Sequence, residues 1–304
     1  MRICSLLPSN TEIVYALGLG DRLVAVTHEC DYPPEATKKA IVTSSALPHD
    51  ARRSIEIHNA VNYHLHQGSS IYHIDTDTLK RVSPDLILTQ ELCEVCAVSY
   101  SLVEKACRLL DGGPKIVSLE PNTLEDILSN IQQVGRLTDR EAEAQEVVAG
   151  LRRRIDKVAS TATQSAYRPR VFCLEWIDPP MAAGHWVPEM VSLAGGYDGL
   201  GKAGENTYTL SWEKVRDYAP EIMVVMPCGF SVARALEERE ILTQMSWWGE
   251  LPAVKEGKVF VVDASSYFNR PGPRIVGGLE ILAQIIHPEL FSPTSPKEAV
   301  AKLA

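Results

Sequence analysis

Short runs of consecutive Val, Ile and Leu recur along the chain. Each is followed by turn residues and then by apolar positions spaced three and four apart. In the first third the runs are Arg2–Leu7, Leu23–Thr27, Asp85–Thr89 and Lys115–Leu119; in the second half they are Arg170–Leu174, Glu221–Met226 and Lys258–Asp263. An unbroken apolar run suits a strand buried on both faces, as in a parallel sheet covered by helices, whereas a half-exposed strand would alternate. Two separate sets of strand–helix units predict two α/β lobes.

The intervening periodicities place the helices. Ser9-x-x-Glu12 has the spacing of a capping box ahead of Ile13, Val14, Ala16 and Leu17, with Gly18 and Gly20 as stops. A short helix over Asp77–Val82 leads through Ser-Pro-Asp into a strand. The region between the strand sets has almost no helix breakers. Leu124, Ile127, Leu128, Ile131 and Val134 form one stripe, and Val147, Val148, Leu151, Ile155 and Val158 form another. With Thr138-x-x-Glu141 as a second capping box, they predict helices over 123–136 and 139–160, with Ser160–Pro169 as the loop onward. The fold class is therefore α/β: two Rossmann-like lobes with parallel sheets, joined by a single long backbone helix. The expected divisions are an N-terminal lobe 1–121, a helical segment 122–160 and a C-terminal lobe 161–304. One stiff connecting helix should limit closure of the lobes to a few degrees.

Composition narrows the class. The 304 residues carry 30 Lys+Arg against 39 Asp+Glu, a formal net charge of −9, which argues against a nucleic-acid partner or an anionic membrane surface. Hydrophobic residues make up 45%, enough for sizeable cores, yet no stretch reaches the ~18 apolar residues of a spanning helix, so no membrane insertion is expected. The apolar run at the N-terminus is too short for a signal segment, so the chain as it stands reads as cytoplasmic, or as periplasmic or extracellular if a leader was removed. Seven cysteines, an odd number, argue for thiols or metal ligands rather than a disulfide framework. A monomer is expected.

In open parallel sheets, ligands bind beyond the carboxyl ends of the strands. The loops there supply the candidates: Pro8, Ser9 and Asn10; His28, Glu29, Cys30, Asp31 and Tyr32; Gln90 and Glu91; Trp176, then His185 and Trp186; Phe230; and Tyr267, Phe268, Asn269 and Arg270. The first-lobe loops are polar and thiol-bearing, and the second-lobe loops are aromatic. That pairing suits a large, flat organic ligand.

Several of these residues carry two readings. Cys93-x-x-Cys96, with Cys30 and His28 from the neighbouring loop, could hold Zn or Fe; the same thiols could be buried and metal-free, or form a reversible disulfide. His28 could ligate the metal of a bound chelate or simply hold loop backbone. Trp176 and Trp186 could face a ligand or pack the Asp178-Pro-Pro corner. His58, His64, His66 and His73 have no common chelating face and read as a solvated helix and turn, and Arg152–Arg154 as the solvated side of the long helix. No nucleophile elbow, HExxH or phosphate-loop spacing is present.

Three stretches resemble a known family: Ser5–Ile13 with Thr27–Pro33; Pro84–Ala97; and Asp178-Pro-Pro followed by Trp186–Gly196. They look like the helical-backbone substrate-binding proteins of ABC importers, which capture cobalamin, ferric siderophores and haem, and most resemble the cobalamin-binding branch. The likeness extends over nearly the whole chain, through Arg270–Glu280. It implies a non-catalytic receptor that holds cobalamin or another metal chelate between two lobes for transport, storage or delivery, with an ABC permease as partner and no resident cofactor. The loops at Pro8–Asn10 and His28–Tyr32, with Trp176, Trp186 and Tyr267–Phe268, would line the cleft. The alternative is a cytoplasmic metal- or thiol-dependent enzyme on the same scaffold, using Cys30, Cys93 and Cys96.

Overall fold

The computed structural model describes residues 1–47, 53–67, 69–90, 103, 105–106, 113–293 and 296–303. The chain divides into two compact units. The first holds residues 1–52, 56–121 and 125–149; the second holds 53–55, 122–124 and 150–304.

In the first unit, β1 (Ile3–Ser5), β2 (Leu23–Val26), β3 (Ala40–Ile41), β6 (Leu86–Thr89) and β7 (Lys115–Ser118) form a parallel sheet in the order β3-β2-β1-β6-β7. The apolar runs become strands, buried on both faces in Ile3–Ser5 and Leu86–Thr89 and only partly in the edge strand Lys115–Ser118. Successive crossovers leave β1 in opposite directions, so the order reverses between β1 and β6, the position where such sheets offer a ligand crevice. Two strands too short to show in the pattern, β4 (Thr43–Ser45) and β5 (Tyr72–Ile74), form an antiparallel pair beside it.

The second unit has a six-stranded sheet. Its centre is parallel: β8 (Val171–Trp176), β11 (Ile222–Val225) and β12 (Val259–Val262). The antiparallel additions are β9 (Met181–Ala182) and β10 (Tyr208–Thr209) on one side and β13 (Val300–Lys302) on the other.

Helix Leu124–Leu137 buries Leu124, Ile127, Leu128, Ile131 and Val134, the stripe read from the sequence. Helix Glu141–Ala162, about 33 Å long at 1.5 Å per residue, runs from the first unit into the second. It buries Val148, Leu151 and Val158 and leaves Arg152 and Arg153 exposed. Arg154 makes a two-pronged bond to Glu280 at 2.8 Å on both arms. No helix among the described residues is long and apolar enough to cross a membrane.

Both capping boxes are corrected. The first helix spans Pro8–Ala16, with Pro8 in the first turn, where its missing N–H costs nothing; no side chain caps it, and Ser9 is already inside. The Thr138 hydroxyl turns back to donate to the carbonyl of Val134 at 2.7 Å, so it closes the preceding helix and does not open the next.

Candidate functional site

The carboxyl ends of β8 and β11 meet in the second unit, where the Cys228 N–H bonds the Glu175 carbonyl at 3.0 Å. β8 stays apolar until Glu175 and Trp176, so its last two side chains emerge from the core half-buried. The Trp176 indole donates to the Asp178 carbonyl at 3.1 Å, and its ring lies 5.4 Å from that of Phe230, just past β11. The Arg234 guanidinium sits over the other aromatic partner, 4.2 Å from the Phe230 centroid. It is drawn there by Glu238 at 2.5 Å and Glu237 at 3.5 Å, which balance its charge. The result is a Trp–Phe–Arg cluster at the end of the sheet, its two rings tilted at 59° to each other.

Beside it, Gly184, His185 and Trp186 make a tight turn. A side chain at Gly184 would put its Cβ 2.4 Å from the Glu205 carbonyl oxygen, which explains glycine there. The Gly184 N–H and the Thr207 hydroxyl, at 3.3 and 2.8 Å, both donate to the carboxyl of Glu175. Burial pushes the pKa of that carboxyl up, and the two hydrogen bonds oppose the shift. His185 has φ +50 and is held on both sides: its N–H donates to the Glu205 carbonyl at 2.6 Å, and its carbonyl accepts from Gly204 at 2.8 Å. Its Nδ1 lies 3.3 Å from Asn122 Oδ1, and its ring is 5.5 Å from that of Trp186. Burial lowers the pKa of the imidazole.

The expected aromatic contacts therefore divide. Trp176, His185, Tyr267, Asn269 and Arg270 are half-buried. Trp186 is 6% exposed and donates its indole N–H to the carbonyl of Phe268, itself 0% exposed; this pair is a core knot supporting the turn. Phe230 is buried under Arg234. The Asn269 Oδ1 accepts from the Gly229 N–H at 3.1 Å and so links two of the loops.

In the first unit, Pro8, Ser9, Asn10 and Gln90 gather at the β1/β6 reversal and are buried; the Asn10 amide donates to the Thr89 carbonyl at 3.4 Å. His28, Glu29, Asp31 and Tyr32 form an exposed loop. The His28 Nδ1 pairs with the Thr43 hydroxyl at 2.8 Å. Cys30 points inward, its sulfur 3.1 and 3.2 Å from the hydroxyls of Thr11 and Thr27. Glu91, Cys93 and Cys96 lie outside the described residues. Among the described residues, no group of three His, Cys, Asp or Glu side chains could hold a metal ion. His58, His64, His66 and His73 form no such group, with His58 on Asn62 and His64 on Ser69.

Asn122, Thr207, Arg234 and Glu238 are parts of this site that sequence reasoning did not single out. Asn122 precedes His185 by 63 positions, and no periodicity links them. The Arg234–Glu238 spacing of four on a helical stretch was the one local signal available.

Two α/β units with parallel central strands and a long connecting helix define a bilobal binding-protein scaffold. The chain belongs to the periplasmic binding protein family, whose signature matches residues 3–265. Among relatives, the vitamin B12-binding protein of Vibrio cholerae serotype O1 is 27% identical over 282 residues, covering 92% of this chain and 86% of its own length. An uncharacterised ABC transporter substrate-binding lipoprotein of Bacillus subtilis is 27% identical, covering 95% of this chain and 81% of its own. The crystal structure of a periplasmic vitamin B12-binding protein of Vibrio cholerae has a TM-score of 0.67 at 25% identity, covering 94% of this chain and 96% of that one.

Proposed function

We propose that this chain is the substrate-binding component of an ABC importer and that it captures a corrinoid or closely related metal chelate without altering it. The observation that carries this reading is the end-to-end relationship to vitamin B12-binding proteins. The Trp176–Phe230–Arg234 cluster supports it, since the half-buried Trp176 indole at a strand end, backed by Phe230, suits apolar contact with a macrocycle. Of the candidate contacts, Trp176, His185, Tyr267, Asn269 and Arg270 in the second unit and the His28–Tyr32 loop in the first are the ones the reading uses. Phe268 and Trp186 support them from the core.

The thiol-enzyme alternative finds no support: the relatives are named as binding proteins, and Cys30 is enclosed by two threonine hydroxyls. The expectation of a cytoplasmic protein finds none either. The relatives are described as periplasmic or as a lipoprotein, and we place this chain with them, outside the cytoplasmic membrane, delivering to a permease.

Isothermal titration with aquocobalamin, cobinamide, ferric haem and a ferric siderophore tests the proposal. Saturable heat with a corrinoid at 1:1 is expected. Absence of heat with all four overturns the proposal.

A further inference from the structure

We infer that His185 ligates the metal of the captured chelate through its Nε2 nitrogen, held ready by Asn122 and the Gly184–Trp186 turn. The inference rests on the reading above, that the strand-end loops of the second unit receive a metal chelate.

The backbone is the first ground. His185 lies in the left-handed region, at φ +50, which a residue with a side chain seldom adopts unless its surroundings impose it. Here both flanking peptide groups are pinned, to Glu205 and Gly204. Histidine is among the side chains that tolerate this conformation, and here the pinned turn fixes the direction in which the imidazole leaves the backbone.

The ring's hydrogen-bond geometry is the second ground. Its Nδ1 faces Asn122 Oδ1, and an amide oxygen only accepts, so Nδ1 carries the proton. A neutral ring so arranged has its lone pair on Nε2, which makes no hydrogen bond among the described residues. A carbonyl-type acceptor behind the far ring nitrogen is the usual support of a ligating histidine, because it sets tautomer and orientation together. The indole of Trp186, itself fixed to the Phe268 carbonyl, lies alongside the ring.

His28 lacks this pre-setting. Its partner, the Thr43 hydroxyl, can donate or accept, so it selects neither tautomer.

The consequence is a choice among ligands. In the binding step, the Nε2 lone pair forms a metal–nitrogen bond and a metal-bound water leaves; the oxidation state and the protons on the protein do not change. Only a chelate with an exchangeable axial position can take part. An aquo-corrinoid or ferric haem qualifies, whereas an iron saturated by six chelate oxygens does not.

Absorbance titration of the full chain with diaquocobinamide, and separately with ferric haem, reads this out. Wild type is expected to shift the spectrum of at least one probe to that of its imidazole-ligated form. His185→Gly, which tolerates the left-handed backbone, is expected to bind more weakly with the water-ligated spectrum, and added imidazole to restore the shift. Asn122→Ala should weaken the coordinated form by about tenfold. His185→Asn serves as a second variant should the glycine variant fail to fold by circular dichroism. An unchanged imidazole-type spectrum in the folded His185 variant overturns the inference, as does wild type binding both probes with water-ligated spectra. Binding of a ferric siderophore alone overturns it while sparing chelate capture in general; no binding of any chelate overturns both.

Discussion

Asp198 shows how one side chain can store a pH dependence. Its Oδ1 accepts from the N–H groups of Leu200 and Gly201 at 3.0 and 2.7 Å, holding the bend that follows it. The residue as a whole is half-buried, but its Oδ2 is sealed from solvent and makes no hydrogen bond. Burial raises its pKa from 3.8 to about 6, against the pull of the two N–H groups. A carboxyl whose folded pKa lies above its unfolded value holds its proton longer in the folded state. Its contribution is therefore complete below about pH 4 and is lost as pH rises through about 6. Asp198→Asn keeps the accepting oxygen and removes the charge. It should match wild type in urea melts near pH 4 and exceed it above pH 6 by at most on the order of 3 kcal/mol. An equal gap at both pH values would contradict this. Nothing around Asp198 in the sequence announces a buried acid, because burial is conferred by the loop that folds over it.

Local pattern and tertiary contact part company among the elements. The stripe from Leu124 to Val134 was legible because helix packing imposes the periodicity that the sequence displays. The capping boxes were not, because Ser9 and Thr138 have the right spacing but Ser9 falls inside its helix and Thr138 donates back to the helix before it. Gly184 is a sharper instance: its lack of a side chain makes sense only once Glu205 and Thr207 are seen against it. Gly184→Ala should cost about 1–3 kcal/mol by forcing these backbones apart, read as a lower urea midpoint with unchanged slope. The Arg154–Glu280 pair joins the long helix to helix Ile275–Ile286 with good geometry, but the Arg154 side chain is 43% exposed. Arg154→Ala should therefore cost no more than about 1 kcal/mol, and less in high salt.

For the molecule as a whole, a binding protein should show its ligand as a gain in stability, since a ligand taken up only by the folded chain shifts unfolding by mass action. With a corrinoid at about 100 times its dissociation constant, the gain should be roughly 2.7 kcal/mol, seen as a raised unfolding midpoint. Trp176→Ala, which removes the half-buried ring of the Trp176–Phe230 pair, should reduce that rise at the same ligand concentration. An undiminished rise would mean that the ligand does not use this face.

The linear pattern was sufficient for the main parallel strands of each unit, the long helix joining them and the buried stripe of the helix before it. Each follows from which residues must leave water, and that is written position by position. Contact between distant positions was settled only by the tertiary structure: Trp186 against Phe268, Arg234 over Phe230, and Asn122 behind His185. Hydrophobic burial acts on each residue wherever it falls along the chain. Hydrogen-bond partners and stacked rings require two groups within a few ångströms, and that distance exists only after the chain has folded.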